Sequence, residues 1–92
     1  MRVIWSNKAE KVYQKYIDQT LENFSEKLAM EFIDDVDSLI KKIQSDKELC
    51  PQSKIKNLRK CVVNANISLV YKAAYQKIEI VTLVFNRSAH EY

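Results

Sequence analysis

The sequence predicts an α+β fold of order β-α-α-β-β-β, in which a helical hairpin packs on one face of a mainly antiparallel four-stranded sheet. Three observations carry that expectation. Two long stretches repeat apolar residues every three or four positions, the spacing of an amphipathic helix. Shorter runs rich in β-branched residues lie before and after them, divided by polar, asparagine-rich breaks. A chain of 92 residues has room for one core, so residues 1–92 read as a single domain.

Arg2 to Trp5 is short, partly β-branched and apolar in alternate positions, and reads as the first strand. Ser6 or Asn7 then caps a helix, Asn7 having Glu10 at capping-box spacing. Ala9, Val12, Tyr13, Tyr16, Ile17, Leu21 and Phe24 form its stripe, and the aromatics share that face with aliphatic residues, as core residues do. Ser25 caps a second helix with its stripe at Ala29, Phe32, Ile33, Val36, Ile40 and Ile43. Glu26, Glu31, Asp34, Asp35 and Asp37 crowd its first half and Lys41 and Lys42 its end, the order a helix dipole favours. No histidine joins Asp34, Asp35 and Asp37, and consecutive helix positions point apart, so no metal site is expected. The short link Asn23-Phe24-Ser25 makes the two helices an antiparallel hairpin.

A loop from Lys47 to Ser53, with the only proline, Pro51, closes the helical half. Three strands are expected after it, Ile55 to Val63, Ile67 to Ala74 and Lys77 to Phe85, with breaks at Asn64-Ala65-Asn66 and Tyr75-Gln76. Strict alternation in the last strand puts Ile78, Ile80, Thr82 and Val84 on one face. Val81, Leu83 and Phe85 fall on the other, beyond Glu79. Both faces are apolar, which marks a central strand. Two helices cover only one face, so the other needs a second cover or a partner.

Composition excludes several kinds of site. The chain has no glycine, where average usage gives about six. P-loops, dinucleotide-binding turns and nucleophile elbows all need glycine, so any chemistry here rests on long side chains. Turns must take unusual backbone angles with Asn or other polar residues instead. The most apolar run, Ile78 to Phe85, is eight residues long and contains Glu79, so no membrane segment is expected. The start turns polar too early for a signal peptide. Cys50 and Cys61 lack CxxC spacing and histidine neighbours and read as reduced thiols of a cytoplasmic protein.

Charge is unevenly spread. Residues 1–46 hold seven Lys/Arg and nine Asp/Glu, whereas residues 47–92 hold eight and three. The basic half suits a polyanion or an acidic protein. Its densest part is Ser53-Lys54-Ile55-Lys56-Asn57-Leu58-Arg59-Lys60, where an extended chain projects Lys54 and Lys56 to one face with Lys60 continuing the row. That row fits phosphate binding, and it equally fits an edge strand protected from aggregation by lysines. Downstream, Arg87, His90 and Tyr92 can supply a phosphate clamp, a proton-transfer group and a stacking ring. A frayed terminus is the other reading of that segment.

The element order, the basic start of the second strand, the phrase Ile67-Ser68-Leu69-Val70-Tyr71-Lys72 and Arg87 after the last strand together resemble the RelE/ParE superfamily of bacterial toxins. These are the toxin halves of type II toxin–antitoxin modules. The resemblance implies a cognate antitoxin as partner and no cofactor. In the RelE branch it implies an enzyme that enters the ribosome and cuts mRNA. Lys54 and Lys56 then look like that branch's Lys-x-Lys, Arg87 like its arginine after the last strand, and Tyr92, with His90, like its C-terminal aromatic. Arg59, Lys60 and Lys72 become RNA or phosphate contacts. Such chemistry needs a proton acceptor, cations for the developing phosphorane charge and a leaving-group acid.

This chain departs from that pattern in two places. Ser68 stands where the RelE branch usually carries an arginine, with Lys72 about 13–14 Å further along the strand. Asn57 also lengthens the gap between Lys-x-Lys and the following Leu-Arg. The ParE branch implies the alternative, a toxin that binds and inhibits DNA gyrase with no catalysis of its own. Ribosome-dependent mRNA cleavage is the first expectation, and gyrase inhibition the second.

Overall fold

The computed structural model describes residues 1–92. Its elements are β1 (Arg2–Trp5), α1 (Asn7–Asn23), α2 (Glu26–Ser45), β2 (Arg59–Val62), β3 (Ile67–Ala74) and β4 (Lys77–Phe85). They form a four-stranded sheet of order β1-β4-β3-β2. The helical hairpin carries the chain from β1 at one edge to β2 at the other, and two antiparallel turns then bring β4 back beside β1, parallel to it; the remaining pairs are antiparallel. β4 is central, as its two apolar faces require. No helix is long and apolar enough to cross a membrane.

Serines open both helices. Ser6 Oγ accepts the Ala9 N–H at 3.0 Å, and Ser25 Oγ accepts the Leu28 N–H at 3.1 Å. The buried stripe of α1 is Ala9, Ile17 and Thr20; that of α2 is Ala29, Phe32, Val36 and Ile43. Of these, Ala9, Ile17, Phe32, Val36 and Ile43 meet Ile67, Leu69, Tyr71, Ile78, Ile80 and Leu83 from β3 and β4 in one core. Phe32 sits between two tyrosines, with ring centroids 5.4 Å from Tyr13 and 4.5 Å from Tyr16. Phe24 does not follow them inward: it is the C-cap of α1 and is 75% exposed.

Alternation along β4 breaks at one residue. Val70 of β3 pairs with Thr82 and Tyr71 with Ile80, so Val81 is a bulge with no partner. Ile78 and Ile80 therefore face the helices together with Leu83 and Phe85, while Thr82 and Val84 face away. This corrects the faces expected from strict alternation. An extra residue moves every later side chain to the opposite face. The bulge is satisfied from the chain start: Ser6 Oγ donates to the Val81 carbonyl at 2.6 Å, and the Ser6 N–H to the Ile80 carbonyl at 3.0 Å.

The chain turns without glycine at three places by two devices. Asn57 and Gln76 take positive φ, 70° and 55°. Non-glycine residues pay about 1–2 kcal/mol for that conformation. The Asn64–Asn66 break avoids it, because Asn64 Oδ1 accepts the N–H groups of Asn66 and Ile67 at 2.8 and 3.1 Å.

The basic segment differs from expectation. β2 begins at Arg59, not Ile55, and residues 51–60 form a small hairpin ahead of it. Ser53 starts its turn, with Oγ accepting the Ile55 N–H at 2.9 Å, and Asn57 ends it in the left-handed region. The Lys60 N–H donates to the Pro51 carbonyl at 3.1 Å, Gln52 bridges Arg59, and the Ser53 N–H donates to the Leu58 carbonyl at 2.8 Å. One step outward in the same register, Cys50 lies opposite Cys61. They are joined as a disulfide with Cα atoms 5.3 Å apart, so the expectation of two reduced thiols is corrected. By chain entropy, closing so short a loop stabilises the fold by at most about 3 kcal/mol.

Candidate functional site

The charged side chains expected to act together are distributed over three places. The first is the hairpin tip and the C-terminal tail. Lys54 and Lys56 are exposed on the turn rather than on a strand, so no Lys54-Lys56-Lys60 row forms. The Lys54 N–H donates to the Tyr92 carbonyl at 3.0 Å, which ties the tail to the tip. Tyr92 and His90 are half-buried with ring centroids 6.2 Å apart. With Lys8, Val12, Thr82 and Val84 they line a shallow cleft of about 600 Å³. The tail thus borders the sheet face turned from the helices, where Ser68, Val70 and Thr82 are buried. His90 Nδ1 is buried with no hydrogen-bond partner.

Arg59 and Lys72 occupy the second place, a cleft of about 400 Å³ along the hairpin side. The guanidinium of Arg59 is already engaged: Nη1 donates to the Cys50 carbonyl at 2.6 Å, closing the base of the hairpin. Lys72 is exposed and pairs across the sheet with Glu79. Lys60 is half-buried and pairs with Val70 on the face turned from the helices. Below this cleft, Tyr71 Oη donates to the Lys47 carbonyl at 2.6 Å. Burial pushes the Tyr71 hydroxyl above its usual pKa, helped by the Asp46 and Glu48 carboxylates. The Cys50 backbone and the Arg59 guanidinium oppose the shift.

Arg87 stands in the third place, a cleft of about 610 Å³ on the helical side. Tyr16 and Phe32 form its floor, Phe24, Leu28 and Phe85 its apolar rim, and Glu31 and Asp35 its acidic edge. Neither Lys54 nor Lys56 lines this cleft. The backbone explains the separation. Asn86 turns to the far side, where its Oδ1 accepts the Ser68 hydroxyl at 2.6 Å and its Nδ2 donates to the Asn64 carbonyl at 3.0 Å. Arg87, the next residue, lines the helical cleft. Near the carboxyl end of β4, the face turned from the helices therefore presents neutral Ser68 and Asn86.

Sequence reasoning gave Asn86 no role, placed Phe24 in the apolar stripe of the first helix and read Cys50 and Cys61 as reduced thiols. The bulge at Val81 hid Asn86, because the side of every residue after it depends on that one inserted position. For the cysteines a signal existed: Cys50 and Cys61 flank the turn at equal distances, the arrangement of opposed hairpin residues.

No protein-family model matches the sequence, and no curated protein does. Solved structures with the same fold do exist. The chromosomal ParDE TA system from P. aeruginosa superposes with a TM-score of 0.77 at 16% identity, over 92% of this chain and 95% of that chain. A YoeB/ParE toxin from Agrobacterium tumefaciens gives 0.69 at 12% identity, over 94% and 99%. The YoeB dimer from Staphylococcus aureus gives 0.64 at 18% identity, over 89% and 92%. The chain therefore has the fold of ParE and YoeB toxins, the α+β architecture expected for the RelE/ParE superfamily.

Proposed function

We propose that this protein is the toxin of a type II toxin–antitoxin pair and acts in the ParE manner, by binding DNA gyrase in the cytoplasm rather than by cutting RNA. The divergence of the cations carries this reading. A nuclease built on Lys54, Lys56, Arg87 and Tyr92 needs those groups around one phosphate, within hydrogen-bonding reach of it. Arg87 instead lines the helical cleft, and neutral Ser68 and Asn86 face the other way. The cognate antitoxin is the second partner. A solved complex of the same fold, the YoeB–YefM toxin–antitoxin heterotetramer from Staphylococcus aureus, supports that expectation at 18% identity.

Induced expression in a bacterial host tests both parts. The parent chain is expected to arrest growth, with relief from the co-expressed antitoxin. A Lys54→Ala, Lys56→Ala, Arg87→Ala triple variant that folds normally is expected to leave mRNA as intact as the parent does. Unimpeded growth on expression of the parent contradicts the toxin reading. Ribosome-dependent mRNA cuts that vanish in the triple variant contradict the gyrase reading and restore the mRNA nuclease, with ribosome and mRNA as partners.

A further inference from the structure

The basic hairpin is a covalently closed ring. Residues 50–61 contain Lys54, Lys56, Arg59 and Lys60 and no carboxylate, and the Cys50–Cys61 disulfide joins their ends. Inside the ring, backbone bonds at Pro51–Lys60 and Ser53–Leu58 and the Gln52–Arg59 bridge hold the two arms together. From residues 51–58, the one hydrogen bond that leaves the hairpin is Lys54 N–H to the Tyr92 carbonyl. Tip and tail are therefore joined by a single hydrogen bond, and the order of the tip depends on what keeps the ring closed.

We propose that Cys50 and Cys61 are a reversible thiol–disulfide pair whose redox state sets the order of the basic hairpin and, through Lys54, of the C-terminal tail. The inference stands on this geometry and not on the toxin reading. Reduction takes a dithiol. Its thiolate attacks one cysteine sulfur, the S–S bond breaks, and the leaving thiolate takes a proton. The second thiol then resolves the mixed disulfide, so two electrons and two protons reach the pair and the reductant leaves as its own disulfide. Cys50, 8% exposed against 2% for Cys61, is the more accessible of the two.

The two parts of the fold respond differently. Reduced cysteines remain small apolar side chains and keep their places in the buried cluster they share with Phe32, Val36, Ile43, Leu69 and Ile80. The hairpin lacks such support. Its outer arm has no further strand beside it, and two-stranded ribbons on their own are marginal in water. Four cations with no carboxylate among them also repel one another once the covalent tie is gone. Release of residues 51–53 uncovers the outer edge of β2, which then offers unpaired backbone groups to an added strand.

Amide hydrogen exchange on the full chain, as oxidised protein and in excess dithiothreitol, tests this. Exchange at Ser53, Lys54 and Lys60 is expected to quicken at least tenfold on reduction, and equally in a Cys50→Ser, Cys61→Ser variant. Amides of β3 and β4 exchange through global unfolding and should quicken only as far as the loss of overall stability dictates, staying well protected in the reduced protein, and glutathione disulfide should restore the slow rates in the wild type. Equal exchange in both states overturns the proposal. So does loss of protection across β3 and β4, which makes the disulfide a staple of the whole fold. Two alkylatable thiols persisting in glutathione disulfide, or protection that does not return, overturn it as well.

Discussion

The helical hairpin and the basic hairpin hold together by opposite means. α1 and α2 meet the sheet through Phe32, Val36, Ile17 and Ile43, buried side chains worth roughly 1.5–3 kcal/mol each when fully removed from water. Residues 50–61 bury little beyond the cysteines themselves and rely on a disulfide, a few backbone bonds and the Arg59–Cys50 contact. The first region is specified by a repeated pattern, so many residues share the task. The second is specified by individual residues, each with one job. Stability should therefore respond to substitution in the two regions by different amounts and in different places.

The largest effect is expected in the helical hairpin. Phe32→Ala removes the ring between Tyr13 and Tyr16 and should cost about 3–5 kcal/mol in denaturant unfolding. Replacing both cysteines by alanine should cost less, at most about 3 kcal/mol, since the gain comes from a short loop in the unfolded chain. A larger loss there than at Phe32 breaks the comparison. Ser6→Ala is next, at about 1–2 kcal/mol, because one hydroxyl both caps α1 and satisfies the bulge carbonyl of Val81.

Two smaller effects sharpen the contrast. Burial raises the pKa of both Tyr71 and Tyr13, with the Asp37 carboxylate adding to the second. Above about pH 10 the unfolded chain releases these protons while the folded chain keeps them. Stability is thus intact below that pH and falls as pH rises through it. Tyr71→Phe should flatten that fall in unfolding curves collected at alkaline pH. Gln76→Gly relieves the positive φ of the β3–β4 turn and should raise stability by up to about 1 kcal/mol, read from the unfolding midpoint. Asn64 needs no such relief, because its side chain already does the turning.

How much of this the sequence disclosed follows the same division. Ala29, Phe32, Val36 and Ile43 repeat a helical spacing over about four turns, and a pattern that long survives one error. The order of elements and the central position of β4 were legible for that reason. The faces of β4 beyond Ile80 were not, because the unpaired Val81 inverts an alternation that nothing in composition marks. Lys54 and Lys56 read as strand residues because Lys-Ile-Lys alternates. The turn made by Ser53 and Asn57 depends on side-chain-to-backbone bonds that the pattern does not encode. At the candidate site, residue types were visible in the sequence while their grouping was not. Arg87 and Asn86 exchange sides on the strength of that single bulge, and the functional reading moves with them.

Whether the dispersed cations serve protein binding or RNA cleavage is decided by a DNA supercoiling assay with purified gyrase. For protein binding, the purified protein is expected to inhibit supercoiling in proportion to its concentration while mRNA in a parallel cell-free translation stays intact. Supercoiling that proceeds unhindered while mRNA is cut only where ribosomes sit contradicts that expectation.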